Sequence, residues 1–197
     1  MNQPGVQYEI HLHGDVPLRH DVVQEQVELA LAPLWKFADA NSFQEGAKSY
    51  YADEPGLVLN REEHMLSMCW TVQGDDSFDE VVQDLCKRLN DLAREGAPIE
   101  ISYVDLDDDA SVDEYHLLFV GPTPQSIVKA QRDLLIKEVM DLMERHFDAT
   151  QLNGVIAEVN ALFEKRLKEQ DVLSIQKTMW TGIPFSGLCE PTKKRLH

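Results

Sequence analysis

Val6-Gln7-Tyr8-Glu9-Ile10-His11-Leu12-His13 carries the alternation on which the fold turns. Val6, Tyr8, Ile10 and Leu12 alternate with Gln7, Glu9, His11 and His13, the period-two pattern of a strand with one buried face. A slip of one residue would turn both imidazoles toward the core, so this alternation also decides which sheet face is polar. Gly14-Asp15-Val16-Pro17 ends the pattern. A helical stretch follows, with Val23, Val27, Leu31, Leu34 and Trp35 at three- and four-residue steps and Asp21 placed to cap it. Pro33 within that stretch predicts a kink or a stop.

Lys48 to Leu59 reads as one or two short strands around the Asp53-Glu54-Pro55-Gly56 turn. The clearest strand comes next: Leu66, Met68, Trp70 and Val72 face one way, and Met65, Ser67, Cys69 and Thr71 the other. Ser77 and Glu80 have the spacing of a capping box. The helix they open has Phe78, Val81, Val82, Leu85, Leu89 and Leu92 on its apolar face and stops at Gly96, with Pro98 beyond. Ile99, Ile101 and Tyr103 alternate again, and Tyr115 to Val120 makes a last strand. The order β-α-β-β-α-β-β predicts an α+β fold: a ferredoxin-like split βαβ antiparallel sheet with an extra hairpin strand.

Gly121-Pro122-Thr123-Pro124 is a sharp joint, with Thr123 as N-cap and Pro124 at the first helical position. Ile127, Leu134, Leu135, Val139, Leu142, Met143 and Phe147 make one amphipathic helix. Thr150 is the expected cap of a second, with Leu152, Val155, Ile156, Val159, Leu162, Phe163 and Leu167 on one face. The short turn between them predicts an antiparallel C-terminal helical hairpin. The expected organisation is an acidic α+β sheet domain over 1–121, a helical hairpin over 122–170 and an extended tail over 171–197.

A chain of 197 residues with 43% hydrophobic and 8% aromatic residues is globular in composition. Its formal charge of −17 is lopsided. Residues 1–121 hold 25 acidic and 7 basic side chains, a net −18, whereas residues 122–197 hold 10 acidic and 11 basic, a net +1. An acidic body repels phosphates, which argues against direct nucleic-acid binding. Cys69, Cys86 and Cys189 are odd in number and widely spaced, the usage of free thiols in a reducing compartment. No apolar run approaches the ~18 residues of a membrane span, and the first residues lack the basic and apolar runs of a signal peptide. The expectation is a cytoplasmic protein with no membrane partner.

Three features could carry chemistry or contact. His11 and His13 share the polar face of the first strand, and Cys69 falls on the neighbouring strand. A His, His, Cys set of this kind could hold zinc at ligand distances of ~2.0–2.3 Å. His116 is expected on the same face but two strands away, about 9–10 Å. The acidic run from Asp105 to Glu114 starts like a calcium loop, with carboxylates at its first, third and fifth positions. Ala110 stands where the turn needs glycine and His116 where it needs glutamate, so it reads as a solvated hairpin loop. In the tail, Trp180, Ile183 and Phe185 are bulky and apolar; they are expected either to fold back over the protein's own core or to anchor in a groove on a partner or a twin subunit.

Gly-rich phosphate loops, nucleophile elbows and His-Glu-x-x-His are missing from the sequence. Cys69 and Cys86 are expected to pack rather than react. The leading reading is therefore a non-enzymatic cytosolic protein acting by protein–protein contact, as a homodimer through the hairpin or tail. Two others stand beside it. One is a metal-binding protein or metal-dependent enzyme using His11, His13 and Cys69. The other is an acidic decoy for a basic, nucleic-acid-binding protein.

Overall fold

In the first strand, β1 (Tyr8–Pro17), Ile10, Leu12 and Val16 are buried, while His11 is half-buried and His13 exposed. The expected polar face is therefore the observed one. The structure is a computed structural model that describes residues 7–106 and 114–174. After β1 come α1 (Gln24–Ala30), α2 (Ala32–Phe37), α3 (Phe43–Gly46), β2 (Gly56–Asn60) and β3 (Met65–Gly74). Next are α4 (Phe78–Leu92), β4 (Ala97–Asp105), β5 (Glu114–Val120), α5 (Pro124–Met143) and α6 (Ala149–Ser174).

The strands form one mixed-connection antiparallel sheet in the order β2-β3-β1-β4-β5. Its inner face presents Ile10, Leu12, Leu66, Met68, Trp70, Ile99 and Ile101 to Val27, Leu31 and Leu34 of the first helical segment and to Phe78, Val82, Leu85 and Leu89 of α4. Fully burying each of the larger side chains contributes about 1.5–3 kcal/mol relative to exposure. The helical stretch at 24–37 is broken as Pro33 requires. Leu31 ends α1, and Pro33, with no N–H to give the preceding turn, sits in the first turn of α2.

Several local expectations change. The helix begins after Val23, whose N–H donates to the Gln26 side chain, not after Asp21. Ser77 spends its hydroxyl on Asp75 rather than capping α4, and α4 ends at Leu92 rather than Gly96. Within the 48–59 stretch strand begins only at Gly56, the start of β2; residues 47–55 form an irregular strap along β3. Thr123 does cap α5, accepting from the Ser126 N–H. Asp148, not Thr150, caps α6: its carboxylate accepts from the Gln151 N–H, and the Gln151 side chain accepts from the Asp148 N–H.

α5 and α6 contact each other, and α5 also contacts β4 and β5. Tyr115 projects from the outer face of β5 in register with Ser102 and His11, and it interacts with Glu100 on β4 and Glu138 on α5. α5 therefore lies over the β4–β5 half of the outer face and leaves the β1–β3 half to the strap. α6 runs to Ser174, past the expected boundary at 170.

Candidate functional site

Thr71 is the one buried polar side chain among the described residues, 2% exposed on the outer face of β3. A buried hydroxyl needs partners, and it has them on both sides. Its Oγ1 donates to the Glu54 carboxylate, whose oxygens lie at 3.0 and 2.8 Å. The His11 Nδ1 lies 2.9 Å from the same oxygen. His11 stands directly opposite Thr71 in the β1–β3 ladder. The other imidazole nitrogen, Nε2, pairs with Glu9 Oε1 at 3.0 Å. Glu9 Oε2 accepts from the Tyr51 hydroxyl at 2.7 Å.

The strap is stitched to β3 along its length. The Thr71 N–H donates to Ser49 Oγ, the Tyr50 N–H donates to the Thr71 carbonyl, and Ser49 Oγ donates to Glu54. Trp70 Nε1 reaches the Gly46 and Lys48 carbonyls at 3.0 and 3.1 Å. Gly56 ends the strap at φ +77°, where an added Cβ would stand 2.0 Å from the Ala47 carbonyl oxygen. Between the strap and the end of β3 lies an open cavity of about 310 Å³, bordered by Lys48, Ser49, Tyr50, Trp70 and Gln73.

The hydrogen bond to Glu9, then burial, pushes the Tyr51 phenol up to about 12. Burial, followed by the Glu54 and Asp53 carboxylates, raises the Cys69 thiol, and burial pushes Cys86 up to about 12. Neither thiol has the depressed pKa of a nucleophile.

His13 stands opposite Cys69 on the neighbouring strand, next to the His11–Thr71 pair. Both ring nitrogens of His11 have partners in this network. Among the described residues, no group of three or more His, Cys, Asp or Glu side chains is placed to hold one. His116 corrects its expected position. It pairs with Ile101 and packs on the Tyr103 ring at 5.4 Å, on the opposite face from His11. Trp180, Ile183 and Phe185 lie outside the described residues, as does the middle of the acidic loop. Ser49, Tyr51 and Glu54 carry half of the network and were not singled out as site residues in the sequence, because an irregular strap has no periodicity to fix which way its side chains point.

The fold and this network define a class: an α+β protein built on a five-stranded antiparallel sheet, with a polar strap clamped to its outer face. The chain belongs to a family of unknown function, DUF6806, whose model matches residues 8–164, from the first residue of β1 into α6. No curated protein and no solved structure matches it. No helix among the described residues is long and apolar enough to cross a membrane.

Proposed function

We propose that this protein works by protein–protein contact rather than by chemistry at a site, and that the partner is a second copy of the same chain. The observation that carries this is a gradient along α5. Val128, Leu135 and Leu142, seven residues apart and on one stripe, are 4%, 37% and 69% exposed. α5 thus starts packed and runs off the sheet with its apolar stripe uncovered. Phe147 and Leu162 add to the exposed apolar surface.

Area and charge both favour a twin. A 20-residue and a 26-residue helix side by side offer a face on the order of 600 Å², close to the ~800 Å² each partner gives a stable interface. Residues 124–174 hold 9 acidic and 7 basic side chains, a net −2, against −18 over 1–121. Two acidic bodies repel, so like copies meet at lowest cost through the near-neutral helices, whose isologous contact also closes after two subunits.

On this reading α5 and α6 are an antiparallel hairpin over 122–170, set apart from the sheet domain of 1–121. The strand order and the helical crossovers support the split βαβ, ferredoxin-like description, with β5 added by a hairpin. Trp180, Ile183 and Phe185 of the 171–197 tail extend the same interface, and the protein acts in the cytoplasm. Sedimentation equilibrium tests the central point. The wild type should weigh twice 22.5 kDa at micromolar concentration, and Leu142→Glu with Leu162→Glu should return it to the monomer mass. A wild type that stays monomeric refutes the proposal.

A further inference from the structure

One edge of the sheet has an unfinished ladder. β2 pairs with β3 and carries no strand on its other side. The Leu57 N–H donates away from β3, to the Ala47 carbonyl. Leu57 therefore belongs to the outward-turned set of the antiparallel alternation, and so does Leu59, two residues on. Among the described residues nothing takes up the Leu57 carbonyl or the Leu59 N–H and carbonyl. Such a row of unpaired backbone groups is a template for another strand.

An apolar groove runs beside that edge. Val27 of α1, Phe43 of α3, and Leu57 and Leu59 line a cavity of about 250 Å³ on the inner side of β2. On the other face Val58 is 41% exposed. The surroundings are acidic: residues 24–30, 47–55 and 61–63 hold six acidic and two basic side chains, a net −4.

We propose that the chain's own C-terminal tail completes this edge, adding to β2 as a sixth, antiparallel strand with Ile183 opposite Leu59 and Phe185 opposite Leu57. In this register Ile183 exchanges both backbone hydrogen bonds with Leu59. The Phe185 N–H meets the Leu57 carbonyl, and the Leu57 N–H stays with Ala47. Pro184 falls between them, opposite Val58, where the backbone turns to solvent and no N–H is needed. Ile183 and Phe185 share a face and fill the groove, while the Pro184 ring covers Val58. A proline on the new outer edge also discourages a seventh strand.

Charge and reach favour the same occupant. Residues 175–197 hold four basic and one acidic side chain, a net +3, against −18 over 1–121. Pairing β2 with the β2 of a second copy would instead bring two net-acidic edges together. Ile183 lies nine residues beyond Ser174, a reach of up to about 30 Å. Four strand spacings put β5 and β2 only about 19 Å apart. Two copies joined through α5 and α6 can exchange tails at this edge, which extends their interface. The docking itself does not depend on their association, so a failed dimer and a failed tail strand are read separately, by mass and by exchange.

Amide exchange in the full-length chain tests the strand at Leu59. Its N–H should be protected about tenfold or more over an unpaired amide. Ile183→Asp with Phe185→Asp should abolish that protection and leave the Val58 N–H, which faces Ser67 of β3, as slow as before. Leu59 exchanging at the free-chain rate in the wild type overturns the proposal. So does protection retained in the double variant, or lost equally at Val58. Nuclear Overhauser contacts from the Phe185 ring to Val27 and Phe43 in the wild type give a test independent of any variant; a Phe185 ring in contact with neither refutes the register.

Discussion

α4 and the pair α5–α6 differ both in patterning and in burial, the apolar residues of α4 being the more sharply gathered on one face. On α4, Phe78, Val82, Leu85, Leu89 and Leu92 are all buried. On the longer α5, only Val128 is buried among the described residues, and on α6 only Leu152. Neither of these belongs to the main core cluster. An amphipathic stripe is evidence that something covers a helix face, but it does not say whether the cover lies in the same chain. Here the sheet supplies the cover for α4, whereas the last turn of α5 leaves Leu142 exposed.

That contrast can be broken from the core side first. Trp70→Ala removes a fully buried ring and leaves the Gly46 and Lys48 carbonyls without their indole donor. It should cost about 3–5 kcal/mol in urea unfolding. Gly56→Ala should cost about 1–3 kcal/mol, because a side chain at φ +77° is strained and would collide with Ala47. Leu142→Ser with Leu162→Ser should change the stability of the dilute monomer by less than about 0.5 kcal/mol while weakening self-association. A loss as large as that from Trp70→Ala would mean the hairpin is core after all. The smallest effect expected is at Cys86, half-buried with its thiol pushed up to about 12 by burial, which should react slowly with a disulfide reagent at neutral pH in the native protein and quickly once it unfolds. Rapid labelling of Cys86 in the native state would show a core looser than described.

Much of the sheet was legible in the sequence. Alternation at 8–13 and 65–72 matched the inner and outer faces, whereas the partners themselves, His13 with Cys69 and His11 with Ser102, come from the strand register. His116 was placed on the wrong face because the acidic loop before β5 gives no phase: the strand's register is set by Ile101, a partner distant in sequence. The helix caps failed at Asp21, Ser77 and Thr150 for a related reason. A side chain that can cap can equally bond elsewhere, as Ser77 does to Asp75. Glu9 was visible as a neighbour of the histidines. Its role as the link between Tyr51 and His11 was not, since Tyr51 and Glu54 reach the site from a segment with neither helical nor strand period.

The two regions can be compared in a single measurement: amide exchange across the whole chain, followed over a roughly hundredfold range of protein concentration. A twin-subunit interface predicts that α5 from Leu135 to Met143, and α6 around Leu162, gain protection as concentration rises, while β1 and β3 exchange at the same rate throughout. Equal protection of those helices at every concentration would place their cover within the single chain and contradict the account.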